Sequence, residues 1–327
     1  MAGAVIELKN PPRILSSAAV GGEKEGKGPY GDRFDQLDPT GHFGKKTWEQ
    51  AEAEMQGCAL SLALHKAGRK HDELDLLLAG DLMNQCTSSS YGMLSFGVPY
   101  LGIYGACSTS AQGLLLASLL LDAGHFRLAG VVASSHFCSA ERQFRYPLDY
   151  GGQRPPTAQW TVTGAGAFLL GHAESGPRIT GVLPGRIVDG GITDANNMGA
   201  AMAPAAYDTL KRYFDATKST PDDYDKIVTG DLGAEGHAIL IDLFARDGVC
   251  LGECYNDCGL MIYDREHQDV HAGGSGCGCS ATMLSAVLLP AGYKKMLYMA
   301  TGALMSPMSV KQGMTIPGIA HLVRIEN

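Results

Sequence analysis

DELDLLLAGDL at residues 72–82 returns as DDYDKIVTGDL at residues 222–232, 150 residues further on. Each copy places an acidic turn, D-[ED]-x-D, before an apolar run that ends in Gly-Asp-Leu. An apolar run without alternation, bounded by turn residues, reads as a strand buried on both faces. A helical segment precedes each copy: TWEQAEAEMQGCALSLALHKAG from residue 47 and APAAYDTLKRYFDA from residue 203. Downstream, RLAGVVASS (127–135) pairs with KKMLYMATG (294–302), each after an apolar helix closing in Ala-Gly. WTVTGAGAFLLGH and IPGIAHLVRIE close the two series. The order helix, strand, loop, helix, strand, final strand therefore occurs twice. An α/β protein of two similar halves, 1–175 and 176–327, is the economical reading.

Composition removes several function classes. The chain has 327 residues, a net charge of −8 and no lysine- or arginine-rich block. Binding to nucleic acid or to an anionic membrane through bulk charge is thereby disfavoured. The opening MAGAVIELKN lacks the basic start and apolar core of a signal peptide. The longest apolar run, near Leu114–Leu121, falls short of the roughly 20 residues of a membrane span. Nine scattered cysteines suit a soluble protein with mostly free thiols in a reducing compartment.

Sheets covered on both faces gather their ligands at the carboxyl ends of strands. Gly80-Asp81, Cys107, Ser134-Ser135-His136, Asp231 and Gly302 all fall at such ends. In YGACSTSAQGLLLASLLLDAG (104–124), Cys107 stands directly before a long apolar helix. The helix dipole and its free N–H groups would favour a thiolate there. A nucleophile, a ligand-binding corner and a small packing residue all remain open. GGEKEGKG (21–28) approaches a phosphate loop but lacks the final Ser/Thr, so an exposed glycine-rich loop is expected. Cys250, Cys254, Cys258, Cys277 and Cys279 lack zinc-type spacing and read as small buried thiols, with no metal site.

The stretches LLLAGDLMNQ, GACSTS, SSHFCSAERQFRYPLDYGGQRP, GITDANNMGAAMAPAA, NDCGLMIY and AGGSGCGCSA, with the duplicated halves, resemble the thiolase superfamily. Within it the chain is similar to the stage V sporulation protein AD family. The resemblance implies a layered αβαβα thiolase-like fold and a homodimer. It implies a dipicolinic acid-binding protein that serves dipicolinate uptake into developing spores. It further implies an intracellular, soluble protein, held peripherally at the spore inner membrane by other stage V sporulation A membrane proteins.

The same resemblance bears on catalysis. Cys107 matches the acylated cysteine of thiolase-like enzymes. Where the condensing enzymes place a histidine the chain reads TGDLGAEGHA, with Asp231 nearest and His237 several residues later. Where they place an asparagine it reads HAGGSGCGCSA, with Ser275 nearest, and His271 matches the thiolase histidine loop only loosely. TGALMSPMSV lacks the second thiolase cysteine. Cys107 is thus expected to be a vestigial nucleophile and the protein not an enzyme. The alternative is an enzyme that condenses acyl-CoA or acyl-carrier thioesters on Cys107.

Dipicolinate is a planar dianion, so its site needs N–H or cationic donors and an apolar slot. Cys107 and Ser108 at the helix start, Ser135 and His136 after the next strand, and Arg142 and Arg145 in AERQFRYP are the expected ligand residues. No cofactor is expected, although calcium can arrive with dipicolinate. Asp81 and Asp231, repeated in both halves, are expected to cap the helices that follow them. Residues 189–206 are expected to form a long loop that leads into a helix.

Overall fold

The computed structural model describes residues 5–144 and 154–327. The first half comprises β1 (Arg13–Gly22), α1 (Trp48–Lys66), β2 (Leu76–Gly80), α2 (Thr87–Met93), β3 (Tyr100–Gly102), α3 (Thr109–Asp122), β4 (Leu128–Ser135), α4 (Phe137–Phe144) and β5 (Gly164–Gly171). The second comprises β6 (Arg178–Leu183), α5 (Met198–Thr217), β7 (Lys226–Thr229), α6 (Gly233–Arg246), β8 (Tyr255–Asp257), α7 (Cys277–Met283), β9 (Lys295–Ala303) and β10 (Gly318–Glu326). One 12-stranded sheet runs through both, with short flanking strands at Ile6–Glu7 and Gln36–Asp38.

The two halves share one plan. Their strand orders are β3-β2-β4-β5-β1 and β8-β7-β9-β10-β6. In each, the second strand runs parallel to the third and fourth, and the fifth is antiparallel to both its neighbours. They meet where Arg13 of β1 pairs with Arg178 of β6.

The repeated acidic turn has a physical cause. Glu73 and Asp223 close equivalent helical turns by accepting the N–H groups of Lys70 and Thr220. The last aspartate of each repeat ties the second strand to the start of the fourth. Asp75 accepts the Arg127 and Leu128 N–H groups, and Asp225 accepts the Lys295 N–H. Spacing in the motif is therefore set by strand register.

Helices α1 and α5 cover the outer faces of the sheets, while α3 and α7 lie between them. That is an αβαβα layering. The central position explains why α3 is apolar almost all round and why every residue of α7 is buried. Gly166 of β5 permits the close approach of α7, because a Cβ there would lie 2.5 Å from the Ala281 backbone. Beyond α7 the chain widens into a π turn at Leu284–Leu288.

Several expectations change. Each half opens on a strand, β1 or β6, that apolar patterning does not reveal. Residues 21–28 are not an open loop: Gly21 and Gly22 finish β1, a helical turn follows, and Glu25 is buried against Tyr263 and the Thr163 N–H. The 189–206 segment turns helical at Met198, where the Asn197 side chain accepts the Ala200 N–H. All nine cysteines are free thiols; Cys258, Cys277 and Cys279 are buried, whereas Cys254 is half-buried and Cys250 is exposed.

Candidate functional site

The turn before α3 is held tightly. Ser108 Oγ donates to the Gly105 carbonyl at 2.6 Å, and Thr109 Oγ1 donates to that of Ala106 at 2.7 Å. Ala106 is kept at φ 49°, a region costly for a residue with a Cβ. The end of β9 presses on this turn; a Cβ on Gly302 would lie 2.5 Å from the Gly105 oxygen. Cys107 is thus fixed at the helix start with 5% of its surface exposed.

Its neighbour is a carboxyl group. Asp231, whose charge acts on the Cys107 thiol, accepts Thr301 Oγ1 at 2.8 Å and the Gly276 N–H at 2.9 Å. Burial, opposed by these hydrogen bonds, pushes the Asp231 carboxyl up to about 7. Burial, and then the neighbouring Asp231 charge, push the Cys107 thiol well above its ordinary value. Of the two influences on this thiol, desolvation outweighs the helix terminus.

The repeated aspartates have diverged. Asp81 accepts the Met83 N–H and the N–H and hydroxyl of Ser89 in α2, a capping role. Asp231 instead faces the thiol, a correction to the expected symmetry. The amides at the start of α6 go to Asp257, which accepts from Leu232 and Gly233. Burial raises the Asp257 carboxyl to about 6.

A cavity of about 40 Å³ opens beside Cys107, walled by Leu82, Phe144, Met198 and Met305, with Thr161 and Ser275 supplying hydroxyls. Glu141 also faces it, accepting from Thr161 Oγ1. No lysine, arginine or histidine is among its walls within the described residues.

Of the six expected ligand residues, the structure brings Cys107 to this cavity. Ser108 is engaged inside its own turn. Ser135 Oγ donates to the Val162 carbonyl and accepts the Gly278 N–H. His136 is buried, with Nε2 donating to the Gly41 carbonyl at 2.9 Å and Nδ1 accepting the Cys138 N–H. Desolvation lowers its pKa, so it is a neutral structural imidazole. Arg142 pairs with Glu49 of α1. Arg145 lies outside the described residues. Sequence alone did not single out the cavity residues Leu82, Glu141, Phe144, Thr161, Met198 and Met305, since they come from separate segments that only the fold brings together.

The histidines weighed as bases are elsewhere. His237 stacks on Tyr255 at 4.7 Å, and His271 contacts the Pro155 carbonyl and Asp269. Ser275 does line the cavity, beside the thiol–carboxyl pair. General-base activation of a cysteine needs an imidazole or equivalent within hydrogen-bond reach. The neighbour here is a buried carboxyl, whose charge raises the thiol pKa further.

Residues 3–326 match the family described as stage V sporulation protein AD. Stage V sporulation protein AD of Bacillus subtilis (strain 168) is 44% identical over 323 residues, covering 98% of this chain and 95% of that protein. Among solved structures, cerulenin-bound OleA of Xanthomonas campestris superposes with a TM-score of 0.63 at 15% identity, covering 98% of each chain. The 3-oxoacyl-[acyl-carrier-protein] synthase III of Aquifex aeolicus VF5 gives 0.57 at 14% identity, covering 96% of this chain and 99% of that one. These two likenesses carry the thiolase-like fold alone.

Proposed function

The chain belongs to the stage V sporulation protein AD family, and on that premise we propose that it binds dipicolinate for uptake into the developing spore, without thioester chemistry. The observation that carries the non-catalytic reading is that Cys107 is buried beside a carboxyl group, with no histidine among the described residues that wall its cavity. Dipicolinate comes from the family resemblance, and the cavity chemistry is compatible with it. A neutral thiol, a half-neutral carboxyl and two hydroxyls offer donors to a carboxylate, while Phe144, Met198 and Met305 offer apolar walls.

Two carboxyl groups, Glu141 and Asp231, oppose a dianion. Calcium entering with dipicolinate would cancel that repulsion, and the oxygen donors at hand suit a hard cation. The protein acts as a homodimer beside membrane proteins of the same sporulation system. No helix among the described residues is long and apolar enough to cross a membrane, so membrane attachment runs through those partners.

Calorimetric titration with dipicolinate, without and with calcium, tests this reading. Saturable binding, stronger with calcium and lost in Cys107→Trp, is the expected result. Absence of heat or thermal stabilisation at millimolar ligand would overturn it. The second reading, a condensing enzyme, is favoured by Cys107 on its strained turn. Intact mass after incubation with acyl-CoAs separates the two, since stable acylation of Cys107 would establish the enzyme.

A further inference from the structure

Behind the cavity wall lies a second pair of carboxyl groups that the binding reading does not use. Glu52 of α1 and Asp81 at the end of β2 are 1% and 0% exposed. Glu52 accepts the hydroxyls of Ser134, at the end of β4, and of Ser139, in α4, both at 2.8 Å. Gln56, one turn along α1, donates to Ser134 and Ser89 at 2.6 and 3.0 Å. Ser89 in turn donates to Asp81. A continuous buried relay therefore links the two acids across α1, β2, α2 and β4. The Gln56 carbonyl oxygen within it is buried without a partner, an open acceptor for a protonated carboxyl.

Each acid holds one wall of the Cys107 cavity. Asp81 fixes the Leu82–Met83 turn through the Met83 N–H, and Leu82 is a wall. Glu52 fixes Ser139, and the next residues of α4, Ala140 and Glu141, with Phe144, form the facing wall. Gln143 clamps these walls together, donating to the Leu82 carbonyl at 3.1 Å and accepting the Asn84 N–H at 3.0 Å. At about 40 Å³ the cavity is far below the roughly 300 Å³ at which small-molecule sites begin. A ring-sized ligand enters only if a wall moves.

We infer that the Glu52–Asp81 pair is a proton-dependent latch, which keeps α4 and the Leu82 turn closed over the Cys107 cavity while it holds a proton. Losing that proton puts a second buried negative charge beside the first, with no cation paired to either acid among the described residues, and drives the walls apart. Glu52 is a positioning residue, acting through Ser139.

The groups around the pair leave the latch a pH range of its own. Burial, and then the Asp81 charge, raise Glu52 to about 8; burial raises Asp81 as well. Cys86 before α2, Cys138 in α4 and Cys277 in α7 are thiols pushed up by burial. His136 after β4 is pushed down. The Glu49–Arg142 ion pair flanks the site at the surface, and Glu141 faces the cavity. Asp231 titrates lower, at about 7.

Hydrogen exchange of the ligand-free protein, corrected for the intrinsic pH effect on amide rates, tests the latch. In the wild type, protection of residues 137–144 relative to α6 should fall above pH 8, by at most about tenfold per pH unit for one proton. Glu52→Gln, the neutral isostere, should keep α4 protected at pH 9. Ser139→Ala should lower its protection at every pH. Equal pH dependence of α4 and α6 in the wild type would overturn the proposal, whatever the variants do. The latch rests on reading the Cys107 cavity as the ligand site, yet the two fail separately. A wild type that opens above pH 8 but takes up no dipicolinate there keeps the latch and loses the ligand.

Discussion

At the scale of single residues, the site is governed by desolvation. A helix terminus offers a thiolate about 1 kcal/mol, which is small against the cost of burying a charge beside a carboxylate. The Cys107 pKa is consequently raised, not lowered. Asp231 accepts Thr301 Oγ1 and the Gly276 N–H and is raised from 3.8 to about 7. The sign of its effect on folding follows. Its contribution is fully present below 3.8 and lost as pH rises through about 7, roughly 4 kcal/mol at full linkage. Asp231→Asn keeps one acceptor oxygen and cannot accept from both donors, so it should destabilise the protein by about 1–3 kcal/mol at pH 5. By pH 8 the gap to the wild type should close, because Asn carries no charge to bury. Urea unfolding of both proteins at the two pH values checks this. Parallel pH profiles would mean that Asp231 does not titrate in the folded state.

At the scale of elements, the acidic repeat is register chemistry written into sequence. Asp75 binds two backbone N–H groups and Asp225 one. Asp75→Ala should therefore cost about 2 kcal/mol and Asp225→Ala about 1 kcal/mol, at roughly 1 kcal/mol per lost bond. Denaturant titration at pH 7 gives both values. The backbone hydrogen bond from Arg127 is the largest influence lowering the pKa of Asp75. The Asp75 contribution is present above 3.8 and fades as pH falls through the lower, folded-state value. An equal loss in the two variants would contradict the unequal bonding.

These elements also mark what could be read beforehand. Strands β2, β4, β7 and β9 were legible because burial on both faces requires unbroken apolar runs. Opening strand β1, RILSSAAVGG, hides its nature in small residues that let α1 and α7 sit close. Edge strands β3 and β8, three residues each, are too short for a periodic signal. In the site, the places of Cys107 and Asp231 were legible because strand ends and helix starts collect ligands, although Asp231 was expected to cap a helix; Ser275 stood out only through the family resemblance. Phe144, Met198 and Met305 converge from three separated segments, and only the tertiary fold unites them. His136 misled because a polar residue at a strand end looks the same from sequence whether its nitrogens face a ligand or the Gly41 carbonyl and Cys138 amide.

At the scale of the molecule, the proposed dimer has a candidate face on β3. Edge strands β3 and β8 end the two halves of the sheet, each paired on one side, and at equivalent register positions Leu101 of β3 is 48% exposed whereas Asn256 of β8 is half-buried. Nearby in sequence, Tyr91, Leu94 and Tyr104 are also exposed, and an open groove of about 980 Å³ is lined by Tyr91, Phe96 and Cys58. A bare edge strand flanked by apolar side chains is a template for another chain. A second copy, placed edge to edge on β3, would pair its free backbone groups and cover that patch. Tyr104 also lines the Cys107 cavity, so the same contact would shield the cavity mouth. Sedimentation of the wild type should give twice the chain mass, and Leu101→Lys together with Leu94→Glu should give single chains. Because both positions are exposed, the double variant should unfold within about 1 kcal/mol of a wild type diluted to the monomer. A wild type that sediments as single chains at micromolar concentration would overturn the dimer.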